Sequence, residues 1–369
     1  MRDDAVLLQA QGLFDRGDYA ACRRLLEERL ASAPDDPALL RALALAVSRG
    51  GSLKESLRLL GRALEIAPDD AEAHFSRALL YLQYGNYRQG FLEYEWRLRR
   101  QSCIAWRYVQ GALWDGGPLR EGTLLLHCEQ GLGDALQFIR YLPLVLERAQ
   151  KVYLACHPAL ASLFRNLPGL AGVVTDGEPL PETTHHFPLL SLPRLFQTTL
   201  ETIPSRFPYL PVPDVPPRAG ATPRVGLIWK ASAASPNGAY RSLAPADFMN
   251  WADIPVEWVL LQRDAPAEEM EAAAARFGSP ALHFRDFQET AACVQGLDLV
   301  VSVDTSLVHL AGGLGKPAWV LLPRWGDWRW LQGRTDSPWY PGVTLFRQER
   351  DGDWSAPAAR VAAALRGLI

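Results

Sequence analysis

The first hundred residues repeat themselves. Gly17-Asp18-Tyr19, Gly51-Ser52-Leu53 and Gly85-Asn86-Tyr87 stand 34 positions apart (17, 51, 85), and so do Pro34-Asp35-Asp36 and Pro68-Asp69-Asp70. A fixed period of this length marks one supersecondary unit stacked on copies of itself, and it restricts this region more tightly than any local pattern. Small residues recur in register, first Ala10, Ala44 and Ala78, then Cys22, Ser56 and Gly90. Larger ones fill the positions between, Leu13, Val47 and Tyr81, then Leu26, Leu60 and Tyr94. Small positions let two antiparallel helices approach closely, and large ones fill the space to the next pair.

This pattern resembles the tetratricopeptide repeat, with three units over residues 1–104. The resemblance implies a concave face that binds a protein or mediates self-association. Simple buttressing of the rest of the chain is the other use of such a solenoid.

At 369 residues the chain is too long for one ordinary core. Its formal charge of -3 points neither to a general nucleic-acid binder nor to a membrane-surface protein. No apolar run reaches the length of a membrane span, and the acidic start MRDDAVLLQA does not read as a signal peptide. Cys22, Cys103, Cys128, Cys156 and Cys293 are odd in number and never in CxxC spacing. A cytoplasmic protein with reduced thiols and no zinc is the expectation.

Beyond the repeats the chain is organised around residues 298–323, DLVVSVDTSLVHLAGGLGKPAWVLLP. The run 299–303 predicts a buried parallel strand, Asp304-Thr305-Ser306 a helix start, Gly315-Lys316-Pro317 its end, and 318–322 a second strand. In a βαβ unit the helix N-terminus lies at the carboxyl edge of the sheet, where amide groups and the dipole favour a phosphate. Thr305 and Ser306 add hydroxyls, and His309 points the same way one turn on. The same residues serve equally as a plain cap and first turn, and spacing alone does not choose.

A second such corner precedes it. Residues 123–128 predict a strand, Glu129-Gln130-Gly131-Leu132-Gly133-Asp134 a glycine turn, and 135–149 a helix. Gly131 and Gly133 let backbone approach a ligand. Asp134 is either a cap or a carboxylate able to take a proton from a hydroxyl, and Glu129 offers itself for the same task. A dinucleotide site is disfavoured, because Leu136 replaces the third glycine of GxGxxG and the next predicted strand, 151–155, ends without an acid. His185-His186 reads as a loop before a short helix, with no acid or thiol at metal-ligand spacing. The proline-dense segment 204–223 reads as a linker between two α/β lobes.

In the last lobe, strands are predicted at 224–229, 257–262 and 281–284, and helices at 266–277, 287–295 and 355–368. Lys230 and Arg241 bracket a polar loop at a strand's carboxyl end, where they either meet an anion or are simply solvated. Trp325, Trp328, Trp330, Trp339 and Tyr340 form an aromatic cluster suited to packing between lobes or to stacking on a ligand. Asp351-Gly352-Asp353 reads as a turn and cap before the last helix rather than a metal clamp.

The segments HCEQGLGDALQFIRYLPLV, PLLSLPRLF, VGLIWK, RSL, the 298–323 stretch, DWRW and DSPWYPGVTLFRQ together resemble the bacterial tetratricopeptide-repeat glycosyltransferases of GT-B fold. These are similar to the family 9 heptosyltransferases and share their layout with the protein O-GlcNAc transferases. The resemblance implies an α-helical solenoid followed by two Rossmann-like parallel sheets facing a cleft. Its lobes would be an acceptor lobe at 105–215, a nucleotide-sugar lobe at 216–350 and a closing helix at 351–369. It implies an inverting, metal-independent enzyme with no cofactor beyond a nucleotide-sugar co-substrate, and a protein or other large acceptor presented by the repeats. Asp134 would be its general base, with Asp304, Thr305, Ser306 and His309 holding the donor phosphates. Neither nucleic acid nor a membrane span is expected, and an oligomer is compatible with it. The loop 230–238 departs from the family's Gly-Asn-type start, which motivates an alternative, an interaction scaffold with a degenerate transferase domain.

Overall fold

The computed structural model describes residues 2–100, 111–216, 220–233, 235, 238–280 and 282–368. Cys103 and the first part of the tryptophan-rich joint at 106–122 therefore lie outside the described residues, as do residues 234, 236 and 237 of the polar loop. Two compact units divide the chain. One is Met1–Cys103 with Gln197–Leu200 and Asp327–Gln332; the other is Ile104–Phe196, Glu201–Gly326 and Gly333–Ile369.

The first unit is three helix pairs, as the period predicts: α1 (Arg2–Asp15) with α2 (Tyr19–Leu30), α3 (Pro37–Arg49) with α4 (Leu53–Ile66), and α5 (Ala71–Gln83) with α6 (Tyr87–Tyr94). The repeated glycines are there for the backbone. Gly17, Gly51 and Gly85 adopt φ of 76°, 85° and 81°, the left-handed turn between the two helices of each pair. The repeated aspartates are caps, since Asp36 accepts from the N–H groups of Ala38 and Leu39, and Asp70 from those of Glu72 and Ala73. Small residues let the helices close: a Cβ on Gly90 would stand 2.6 Å from Leu82 Cγ. Within this unit Trp328, from the turn Trp328–Trp330, sets its ring edge-on to Tyr87, Phe91 and Tyr94 at centroid distances of 6.0, 5.7 and 6.4 Å. This Trp328 face belongs with the last repeat rather than with packing between lobes.

The second unit carries two five-stranded parallel sheets. The first is built from β1 (Ala112–Leu113), β2 (Leu124–His127), β3 (Val152–Ala155), β4 (Gly172–Val174) and β5 (His185–Pro188), in the order β1-β5-β2-β3-β4. Its helices are α7 (Leu132–Phe138), α8 (Leu142–Leu146), α9 (Pro158–Phe164) and α10 (Leu192–Leu195). The second sheet contains β6 (Arg224–Ile228), β7 (Glu257–Leu260), β8 (Leu299–Val303), β9 (Ala318–Leu322) and β10 (Val343–Arg347), in the order β10-β9-β8-β6-β7. Around it lie α11 (Pro245–Phe248), α12 (Ala267–Phe277), α13 (Phe287–Gln295), α14 (Ser306–Gly313) and α15 (Ser355–Arg366). Apolar strands buried on both faces pack with Trp229, Phe248, Trp251 and Trp258 into the core of this lobe.

The order of strands decides where each sheet opens. In both, the direction in which successive strands are added reverses beside the first strand of the lobe's βαβ run, between β5 and β2 in one and between β6 and β8 in the other. A crevice forms at the carboxyl ends of the strands at such a switch point. The glycine turn after β2 and the Asp304 turn after β8 both emerge there.

Several expectations are corrected. The helix expected at 135–149 begins at Leu132 and breaks, because Pro143 starts α8 anew. His185-His186 is not loop but the head of β5, a strand central to its sheet. Ala281 lies outside the described residues and 282–284 form no strand, whereas β10 was not expected. The described residues of the linker are irregular backbone, and they tie the lobes together: the N–H groups of Tyr209 and Leu210 donate to Gly313 O (3.0 and 3.1 Å), and the Tyr209 hydroxyl donates to Leu136 O (3.0 Å). Among the described residues no helix is long and apolar enough to cross a membrane.

Gly90→Val tests the repeat packing. Overfilling the closed helix pair should cost about 1–3 kcal/mol, read as a lower urea midpoint of the full chain by far-ultraviolet dichroism; an unchanged midpoint would contradict the packing described.

Candidate active site

The glycine turn starts at the end of β2. Gln130 takes φ of 63°, a left-handed conformation uncommon outside glycine, and so turns the chain sharply into α7. Gly131 caps that helix, and Asp134, on its first turn, accepts from the Gly131 N–H at 2.8 Å. The carboxylate is thus aimed by its own cap, while remaining half-exposed. Glu129, the other acid considered for the same role, is buried. Asp134 is the better placed of the two to meet a ligand.

The second corner is built on β8 and α14. Thr305, rather than Asp304, caps α14: its hydroxyl accepts from the Leu307 N–H (3.3 Å) and lies 3.2 Å from Ser302 Oγ. Asp304 is buried and meets the guanidinium of Arg241 at 3.5 Å. Arg241 in turn donates to Ser235 Oγ at 2.8 Å. Arg347, at the end of β10, belongs to the same edge of the sheet. Burial lowers its pKa to about 10, against the pull of Asp304 and Tyr240, which act to raise it.

The two corners confront each other. A Cβ on Gly133 would stand 2.9 Å from His309 Cδ2, 3.5 Å from His309 Nε2 and 3.5 Å from Ser306 Cα. Glycine is therefore required at 133 for α7 to lie against α14, and Asp134 follows directly. His309 is buried, with Nδ1 2.7 Å from the Tyr340 hydroxyl.

Lys230 is not brought into this group. It stands at the same sheet edge, but its ammonium pairs with Glu269 of α12, which also accepts from Trp229 Nε1. Of the acids near the last helix, Asp353 accepts from the Ser355 N–H and Asp351 from the Tyr240 hydroxyl.

Sequence reasoning missed three contributors. Arg140 is buried, donates to Trp339 O (2.9 Å) and to Gln137 O (3.0 Å), and lies over the rings of Phe207, Tyr209, Trp339 and Tyr340 at 4.6–5.4 Å. The signal was a lone arginine inside the apolar run LQFIRYLPLV. Tyr340 stood within the aromatic cluster without a role, and Arg347 within an unrecognised strand.

No family model matches the chain. Protein FlbA of Caulobacter vibrioides is 30% identical to it over 408 residues, an alignment that takes in 98% of this chain and 67% of FlbA. The chain belongs to the FlbA family. Among solved structures, the glycosyl transferase family 9 protein from Veillonella parvula DSM 2008 superposes with a TM-score of 0.50 at 11% identity, over 69% of this chain and 99% of that one. The two lobes of this FlbA relative thus have a glycosyltransferase fold. The Sgt2 TPR domain from Aspergillus fumigatus matches 26% of this chain at 21% identity with a TM-score of 0.25, and only 63% of that domain is spanned.

Beneath the glycine turn lies a second buried pair, His127 at the end of β2 and His186 on β5, with His127 Nε2 and His186 Nδ1 3.4 Å apart. Burial, aided by neighbouring His185, lowers the pKa of His186 from its ordinary 6.5. A histidine held neutral in the fold but protonated when unfolded contributes stability that is complete above pH 6.5 and is lost as pH falls through the lower folded value. The melting temperature of the full chain should therefore drop from pH 7 to pH 5.5, and His186→Phe should reduce that drop. An identical pH slope in the variant would show that His186 does not carry it.

Proposed function

We propose that this protein is an inverting, metal-independent glycosyltransferase that moves a sugar from a nucleotide-activated donor to a hydroxyl of a protein or other large acceptor held by the helical repeats. The single observation that carries the reading is the meeting of Gly133 with Ser306 and His309. It sets a proton acceptor and a phosphate-favouring helix end on facing corners at the two switch points.

In the reaction, Asp134 takes the proton of the acceptor hydroxyl as its oxygen bonds to the anomeric carbon. The bond from that carbon to the donor phosphate breaks from the opposite side, which inverts the centre. Its electron pair leaves with the nucleotide. The charge that develops there is met by the first-turn amides of α14, by the Thr305 and Ser306 hydroxyls, and by Arg241 at the neighbouring strand end. His309 borders the same turn, and Asp304 orients Arg241. Cationic side chains and a helix end fill the place that a divalent ion takes in other phosphate sites. Lys230 has no part in this scheme.

One observation favours the rival scaffold reading, namely that Lys230 at the altered loop is committed to Glu269. A single experiment separates the two. In a thermal-shift panel of ADP, GDP, UDP, dTDP and CMP, one nucleotide should stabilise the full chain. Asp134→Asn should bind that nucleotide within about twofold, yet release it from the matching nucleotide sugar about a hundredfold or more slowly. Unchanged release removes Asp134 from the role, and no stabilisation by any nucleotide favours the scaffold.

A further inference from the structure

Tyr340 takes no part in the scheme above, yet it is closely packed. It is 1% exposed, and its ring lies so close to α14 that a Cβ on Gly312 would stand 2.3 Å from its Cδ1. Its hydroxyl lies 2.7 Å from His309 Nδ1. Over its face, 4.9 Å from the ring centroid, sits the guanidinium of Arg140, itself pinned by two backbone carbonyls.

The two edges of the His309 ring therefore meet different elements. Nδ1 meets Tyr340, while Cδ2 and Nε2 face the first turn of α7 at Gly133. A cation over a phenol ring draws electron density from its oxygen and makes the hydroxyl a better donor and a poorer acceptor. A hydroxyl that donates to Nδ1 leaves the proton of a neutral imidazole on Nε2. A neutral ring so arranged always offers an N–H on that edge.

We infer that Tyr340 is a positioning residue that holds His309 in the Nε2–H tautomer, so that the neutral ring donates a hydrogen bond to a phosphate oxygen of the nucleotide. The inference rests on the proposed function and names how that same site is kept ready for an anion. Among the described residues, the titratable and charged groups near His309 include Asp134 on α7, Asp304 at the head of α14, Tyr209 on the linker, Tyr340 itself and Arg140 beyond its ring. Arg140 and Tyr340 belong to opposite lobes, so the tautomer is set by a contact that exists only when the lobes are docked.

The test is the affinity of the full chain for whichever of ADP, GDP, UDP and dTDP it binds most tightly, measured by calorimetry at pH 8. Tyr340→Phe keeps the ring and removes only the hydroxyl. It should weaken binding about twofold at pH 8, because both tautomers are then populated and an evenly divided ring keeps only half of its competent form. In a His309→Gln background, Tyr340→Phe should have little further effect. A ratio of one at pH 8, or an equal loss in the His309→Gln background, overturns the assignment while leaving the proposed function standing. Failure of the wild-type chain to bind any of the four overturns this assignment, and failure to bind CMP as well overturns the proposed function.

Discussion

The contact on which the site depends is the approach of α7 to α14 through Gly133. Two helix starts can lie this close only where one of them lacks a side chain, and the space a Cβ would take at 133 is filled by the edge of His309. Glycines on the other partner extend the same logic. Gly312 admits the ring of Tyr340, and Gly313 admits Leu210 and Tyr209 and accepts two linker N–H groups at its carbonyl. Backbone proximity replaces side-chain filling along this seam. Small errors of docking are therefore not absorbed by soft side chains.

Topology places the seam at the chemistry. Each sheet winds outward in two directions from its switch point, and loops from strands on either side of that point must diverge. Divergence leaves room above the carboxyl ends of β2 and β8, the strands that lead into α7 and α14. Beside this opening Asp304 lies against the guanidinium of Arg241, and its charge acts on that of Arg347. The linker and Arg140 hold the two lobes in this relation, with Arg140 donating to a carbonyl of the second lobe from a helical segment of the first.

Much of this was legible from residues alone, and the parts that were not have physical reasons. The repeat was readable because its turns need glycine at φ near 80° and its helices need aspartate caps, so the pattern is written in residue types with few substitutes. The strand and helix around Asp304 were readable because an unbroken apolar run ends abruptly in cap-forming residues. By contrast, β5 was obscured because His185-His186 begins it, and two histidines read as loop until His127 is seen to face His186 across the strand pair. Lys230 looked like an anion ligand because of its place at a strand end. What decided its fate was Glu269, an acid on α12 distant in sequence. Tyr340 meets His309, and Arg140 meets Tyr340, only through tertiary contacts, and no local pattern announces those.

The most direct measurement is a crystal structure of the full chain with the one nucleoside diphosphate that stabilises it. The account predicts the diphosphate at the first turn of α14, within hydrogen-bond reach of Thr305, Ser306 and His309, and facing the Asp134 carboxylate across the opening. A diphosphate bound elsewhere, or bound there only after α7 and α14 have parted at Gly133, would contradict it.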